Sequence, residues 1–440
     1  LRKYVLLALL AIVGVTLTIA WYHPPMRLMP PPLLFQGDAA RIFGAGGDVP
    51  DDSGLEVFYA TNRLPIGPRD HRIYTVAPDR NLHFGTASLR VGYEGTTWDQ
   101  LYEWSTGGAV SDRPFINLER MRETAELPAG ARPNAETSDW LASVDAALAQ
   151  RPGGDVIVYV HGANTTVERA AGQAAQLWHF SGRNAVVVLF AWPTAENFLR
   201  YPSDMRTAFG GAPHLADLIE LLATHTRAKK VDVFTYSAGG TVGSTALGGL
   251  AKDRPAIADR IGNVYHAAPD ADFRAFVDDL GAYAPHASRV TAAINMNDSA
   301  LRLAEVVNRA SRAGRPDLRE LDEAQTETLL GAVRAGDLDV IQVSPETIPT
   351  LSRTSHTFWY DDPWVSSDVL VTLLFGLDPA ARMLQAETTT NDTPYWTFTP
   401  DFPERMPALR DRLEAMVAGV KSGPGVSVTP PAEAPTPPAP

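Results

Sequence analysis

Cysteine is absent from the 440 residues, so neither disulfides nor thiolate-bound metal holds this chain together, and an apolar core must do so. The same absence fits an oxidising or a reducing compartment. No His-Glu-x-x-His stretch occurs and no glycine-rich loop ends in lysine, so neither a metal nor a cofactor is expected. Positive charge is in deficit as well. The 38 Lys and Arg against 51 Asp and Glu leave a formal charge of −13, which argues against a nucleic-acid partner. Hydrophobic residues at 45% and charged residues at 20% are those of a globular protein long enough for one large core.

Charge is missing altogether from Tyr4 to Tyr22. As a helix these nineteen residues would span roughly 28 Å, close to the core of a bilayer. Arg2 and Lys3 precede the stretch, and Trp21 and Tyr22 stand where an interfacial aromatic belt would lie. Residues 1–22 therefore read as a transmembrane signal anchor, single-pass in the cytoplasmic membrane, with the folded domain on the periplasmic or extracytoplasmic side. A cleaved signal peptide is the competing reading. Against it, the apolar run is long and no small-x-small site precedes a plausible mature start. Residues 23–53, with Pro24-Pro25, Pro30-Pro31-Pro32 and Gly44 to Gly47, read as a spacer off the membrane. Residues 54–422 are the expected domain, and the Pro-rich residues 423–440 a disordered tail.

Leu55–Ala60 and Phe84–Val91 read as antiparallel first strands. From Trp98 to Pro133 the pattern is irregular, with one helical piece near Leu118 to Glu126. From Asp139 onward helix and strand alternate, the mark of a mostly parallel twisted sheet with helices on both faces. Strands are expected at Val156–Val160, Ala185–Phe190, Val231–Thr235, Val264–Ala267, Val290–Asn295 and Val340–Val343. Leu215, Leu218, Ile219 and Leu222 fall at i, i+3, i+4 and i+7 and predict one apolar helix face.

The run Val231 to Gly243 carries chemistry. An apolar β-branched stretch stops at Ser237 and continues in small residues, as strand, sharp turn and helix would require. Such a turn projects the hydroxyl above the sheet at a helix N-terminus, where backbone N–H groups can meet an oxyanion. Thr235 and Gly239 flank it at two residues, giving Thr-x-Ser-x-Gly. Upstream, Val156–Val160 ends in His161-Gly162-Ala163, and a strand-to-helix loop of that kind can supply a second oxyanion N–H. The expected oxyanion donors are Ala163 and Ala238, with His161, Gly162 and Gly239 shaping the turns.

A serine nucleophile needs an imidazole, and the imidazole a carboxylate to fix its tautomer. Of ten histidines only His356 lies beyond His286, in a loop after the last predicted strand. His266 reads as a hydrogen-bonded core histidine, and His179 and His225 as helix-surface residues. Asp298, after the second strand beyond the serine, is the expected acid. Asp270, after the first, is the alternative, and it would serve equally as a helix N-cap.

The blocks Phe58 to Arg63, Val160 to Thr165, Leu189 to Pro193, the serine turn, Ala267 to Asp270 and Asn297-Asp298 together resemble the bacterial α/β-hydrolase family long catalogued as a domain of unknown function. The resemblance covers roughly Leu55 to Asp378. It implies an α/β-hydrolase fold with a Ser237-Asp298-His356 triad, and brings no established substrate. Tyr236 and Ala238 stand where that family often has His and Met, and the insert from Ser311 to Asp339 is long. Candidate caps are the region before Pro133 and the segment 300–336. The expected activity is that of a membrane-anchored serine hydrolase, esterase-like, cleaving a carboxylic ester or less readily an amide or thioester. The alternative is an inert hydrolase-fold scaffold of the cell envelope.

Overall fold

A computed structural model describes residues 14, 25–36, 53–107, 113–150, 154–389 and 393–421. Apart from Gly14, the expected anchor 1–22 lies outside the described residues, as does the tail 423–440. Among the described residues no helix is long and apolar enough to cross a membrane.

Eleven strands form one sheet: β1 (Gly54–Ile66), β2 (Ile73–Val91), β3 (Ile116–Pro128), β4 (Val156–Val160), β5 (Val186–Phe190), β6 (Val231–Tyr236), β7 (Ile261–Ala267), β8 (Arg289–Ile294), β9 (Leu338–Gln342), β10 (Gln385–Thr388) and β11 (Pro394–Thr397). Their spatial order is β10-β11-β9-β8-β7-β6-β4-β5-β1-β2-β3. From β1 through β5, β4, β6, β7, β8 and β9 to β11 every pairing is parallel. An antiparallel ribbon closes each edge, β1-β2-β3 on one side and β10-β11 on the other. Every residue of β4 and β5 is buried, which is why Val156–Val160 and Val186–Phe190 are unbroken apolar runs: helices cover both faces.

Among the described residues, the helices longer than a single turn are α1 (Trp98–Thr106), α2 (Ala135–Ala149), α3 (Val167–Phe180), α4 (Tyr201–His225), α5 (Gly239–Asp253), α6 (Phe273–Tyr283), α7 (Ser299–Asn308), α8 (Glu323–Ala335), α9 (Pro363–Phe375) and α10 (Phe402–Lys421). Residues of α3, α9 and α10 share one core with Tyr159, Phe234 and Tyr265. Those of α2, α4, α5 and α6 share the other with Val158, Val160 and Val233. The predicted face of α4 is realised, with Leu215, Leu218, Ile219 and Leu222 all fully buried.

Two expectations are corrected. Leu118 to Glu126 is not helical but the middle of β3. Its Glu, Arg and Met favour a helix locally, yet Met121, Glu123, Ala125 and Leu127 alternate inward, and pairing with β2 decides the outcome. The region before Pro133 is consequently sheet edge rather than cap. The spacer reading of residues 23–53 also fails over part of its length. Met26, Leu28, Met29, Leu34 and Phe35 are buried in the core beneath α3, α9 and α10: residues 26–35 form a strap that ends in a 3-10 turn, Leu33–Phe35, and turns most of its apolar side chains inward.

Candidate active site

Ser237 follows β6 directly, at the C-terminal edge of the sheet. Its φ of +53° is a left-handed conformation that costs a non-glycine residue about 1–3 kcal/mol, so the surroundings must impose it. Three backbone hydrogen bonds do. Ser237 N–H donates to Ala267 O at 3.0 Å, and its carbonyl accepts from Gly240 and Asp270, each at 2.8 Å. Gly239 allows α5 to start this tightly, because a Cβ there would lie 2.5 Å from Val160 O and 2.7 Å from His161 O.

Ser237 Oγ lies 2.8 Å from His356 Nε2, and His356 Nδ1 lies 2.6 Å from Asp298 Oδ2. With its proton on Nδ1, the imidazole donates to Asp298 and accepts from the serine hydroxyl. The other carboxylate oxygen of Asp298 accepts from the N–H groups of Ala300 and Leu301, at 2.9 and 3.0 Å, and caps α7. One fully buried aspartate therefore both starts a helix and fixes an imidazole. Burial pushes the His356 imidazolium down, but the charge of Asp298 and its hydrogen bond, with the charge of Asp270 behind them, hold the pKa above the ordinary histidine value.

The loop after β4 presses on the serine. A Cβ at Gly162 would lie 2.8 Å from Ser237 Cβ, so only glycine lets this backbone approach. Neither Ala163 N–H nor Ala238 N–H has a hydrogen-bond acceptor among the described residues. Buried groups hold the loop rigid. Arg63 Nη2 donates to Thr165 O at 3.0 Å, Asp204 Oδ2 accepts from Asn164 N–H at 2.9 Å, and Trp192 Nε1 donates to His161 O at 2.7 Å. The His161 ring stacks on Trp192 at 5.4 Å, and burial together with the Arg63 charge pushes its pKa down to about 3. It is a neutral structural imidazole.

Asp270 is not brought to His356 by any hydrogen bond. Its oxygens are taken by Arg312 Nε at 2.5 Å and by the Tyr201 hydroxyl at 2.8 Å. Nor is it the N-cap of α6, whose cap is Asp272. His266 is a core residue between Thr235 Oγ1 at 2.7 Å and the Tyr283 hydroxyl at 2.9 Å, its pKa pushed down to about 3 by burial. His225 is exposed, whereas His179, expected on a helix surface, is buried and bonded to Ser105 Oγ at 2.7 Å. The strap over α3 and the packing of α1 cover it.

Sequence reasoning passed over two supporting residues. Asn295 is fully buried and donates from Nδ2 to Ser355 O at 2.9 Å and Arg353 O at 3.3 Å, while its own carbonyl accepts from Asp298 N–H. It thus brackets the acid turn and the histidine loop together. A polar residue closing an apolar strand three positions before the acid was the available signal. Tyr236 places its ring 5.3 Å from the imidazole of His356. No spacing rule points to it, since its partner is 120 residues away.

Of the two cap candidates only the second stands over the catalytic edge. There α7 and residues 309–320 border a cavity of about 500 Å³ between Val306 and Arg309 on one side and Ser311 and Glu320 on the other. Among the described residues, His83, Glu123 and Glu126 are close enough to share a cation. Glu123 is already engaged by Arg72 at 2.7 Å, Arg69 at 3.4 Å and the Tyr74 hydroxyl at 3.0 Å, so this donor set fits an ion-pair network and not a metal.

No curated protein matches the chain. Among solved structures it is similar to a candidate aryl esterase from Burkholderia cenocepacia, at 12% identity over 62% of this chain and 93% of that one, with a TM-score of 0.23. It is similar also to a lipase-esterase related protein from Clostridium acetobutylicum ATCC 824, at 11% identity over 60% and 94%, with a TM-score of 0.22. Likeness at those scores carries no argument. A family model, by contrast, matches residues 135–355, half of the chain, from the start of α2 to the residue before His356. With the parallel sheet, the two helical layers and this match together, the chain is an α/β hydrolase and belongs to the family of alpha/beta hydrolases of unknown function (DUF900).

Proposed function

We propose that this protein is a serine hydrolase that cleaves a carboxylic ester, less readily an amide or thioester, through an acyl-enzyme. Ser237 Oγ attacks the carbonyl carbon as His356 Nε2 takes its proton, and Asp298 steadies the imidazolium so formed. The N–H groups of Ala163 and Ala238 receive the negative oxygen. The alkoxide leaves with the proton held by His356. Water, deprotonated by the same imidazole, then releases the acid and frees Ser237. The observation that carries this reading is the unbroken hydrogen-bonded series Ser237–His356–Asp298 beside two N–H groups, those of Ala163 and Ala238, that have no acceptor among the described residues.

We propose further that residues 1–22 anchor the chain in the cytoplasmic membrane and that the hydrolase unit lies on the extracytoplasmic side. The uncharged run Tyr4–Tyr22 behind Arg2-Lys3 supports this. A C-terminal alkaline phosphatase fusion should be active and resist carbonate washing. Release as a soluble species shortened by about twenty residues would support a cleaved signal peptide instead.

Turnover separates the enzyme from an inert scaffold. Purified protein should hydrolyse short-chain p-nitrophenyl esters with a burst of nitrophenol, and Ser237→Ala should abolish both burst and turnover. A folded wild-type protein without turnover on any acyl length would favour the scaffold.

A further inference from the structure

Tyr236 is the last residue of β6, bonded directly to Ser237, and the reaction above makes no use of it. The imidazole of His356 packs on its ring, with the centroids 5.3 Å apart and the planes tilted by 39°. The loop after β4 reaches the same ring, since a Cβ on Gly162 would stand 3.4 Å from Tyr236 Cδ1. Trp359 and Tyr360, in the single helical turn Phe358–Asp361, meet it edge-on at 6.2 and 5.8 Å. Trp359 packs in turn on Phe234 at 4.9 Å and on Tyr159 at 5.5 Å, and the Tyr360 hydroxyl accepts from Arg169 Nη2 at 3.2 Å. Tyr236 is only 6% exposed. Its ring cannot swing away from His356 without unpacking these aromatic neighbours.

What packs on this ring changes charge in every turnover. His356 is neutral until it takes the proton of Ser237 and cationic until it gives it up. An aromatic face carries negative potential and attracts a cation within about 6 Å of its centroid, most strongly where water is excluded. The other charges that bear on the imidazole are those of Asp298, at Nδ1, and of Asp270, which Arg312 and Tyr201 hold. Arg169 and Asp361 stand at Tyr360, the next ring along. Burial pushes the Tyr236 phenol well up, so it stays neutral.

We infer that Tyr236 is a positioning residue for the base: its ring holds the imidazole where Nε2 reaches Ser237 and favours the imidazolium over the neutral form. This rests on the serine-hydrolase reading, in which that cation forms as Ser237 attacks. Because the cation belongs to the transition state and not to the resting enzyme, the contact lowers the barrier without tightening substrate binding. Asp298 acts through Nδ1, and Tyr236 through the ring.

Removing the ring would loosen the packing as well, so the test keeps its shape and changes its charge distribution. In full-length protein in detergent, Tyr236→Phe keeps the negative face, and Tyr236→pentafluorophenylalanine, introduced by a suppressor tRNA, reverses it. The pKa of His356 is read by NMR of isotope-labelled histidine, its signal assigned by its loss in His356→Gln, and the reading needs no turnover. Tyr236→Phe should keep the wild-type pKa and turnover. The fluorinated variant should show a His356 pKa lower by about one and kcat lower by about 5- to 30-fold, with KM little changed. An unchanged pKa in the fluorinated variant would reduce the ring to packing and overturn the proposal, with the hydrolase reading intact. So would Tyr236→Phe as depressed as the fluorinated variant, since the hydroxyl would then be the agent. A fall in pKa on fluorination, in a protein whose wild type turns over no ester, would support the contact and strike only the hydrolase reading.

Discussion

At the scale of single residues, the site is an exercise in one group serving two ends. Asp298 caps α7 with one oxygen and fixes His356 with the other, so its replacement has to be read on two axes. Asn caps nearly as well as Asp, and Asp298→Asn should therefore melt close to the wild type. Its turnover should fall by on the order of 10⁴, because the imidazole is then held in the wrong tautomer. A loss of fold alongside activity would mean that the cap and not the imidazole is the main duty. The pH profile follows from the same contact. His356 must be neutral to accept the proton, and its folded pKa is held above the usual ~6.5. Hence kcat/KM should be lost as pH falls through a value above that figure and reach a plateau above it. In Asp298→Asn the residual activity should show its acid limb at lower pH. Asp270 belongs to a different account. As an N-cap it would tolerate Asn, but it is a buried partner of Arg312, both side chains under 5% exposed, and removing its charge leaves a buried guanidinium uncompensated. Asp270→Asn should cost stability, about 3–5 kcal/mol for a pair broken on one side, readable by urea melting. A near-normal melt would show that solvent reaches Arg312.

Among the elements, legibility tracked how local the cause was. The strand and turn around Ser237, the His161-Gly162 loop and the face of α4 are written in short windows, and His356 and Asp298 are singled out by their order after Ser237 and their places beyond strands, with the family resemblance implying the same three residues. What a window cannot see is a partner far along the chain. Leu118 to Glu126 carries helix-favouring residues and becomes β3 because β2 is there to pair with it. His179 is buried because α1 and the strap cover it, and Asn295 matters because Ser355 lies across from it. The threonine in Thr-x-Ser-x-Gly has a similar answer. The Thr235 methyl fits because position 243 is glycine, where a Cβ would come within 2.4 Å of it. Tight packing of this kind predicts a steep penalty at the turn itself. Gly239→Ala places a Cβ against two backbone carbonyls that cannot yield, so it should unfold at markedly lower temperature, with overpacking costing about 1–3 kcal/mol or more. Unchanged melting would mean that α5 shifts freely, against the turn described above.

For the whole molecule, the strap changes what counts as the folded unit. Leu28 and Leu34 are fully buried between α3, α9 and α10, and a Leu→Ala change at such a site costs about 2–5 kcal/mol. A chain beginning at Leu55 should therefore be far less stable than one beginning at His23, as circular-dichroism melts of the two would register. Equal melting temperatures would return residues 26–35 to the role of spacer. Soluble preparations should accordingly be cut before the strap. On such a preparation the central claim, that Ser237 is a nucleophile activated by His356, meets its most direct test in a fluorophosphonate probe. Mass spectrometry of the treated protein should find one adduct, on Ser237, formed quickly in the wild type, slowly in His356→Ala and not at all in Ser237→Ala. A folded wild-type protein that stays unmodified, or an adduct equally fast without His356, would contradict it.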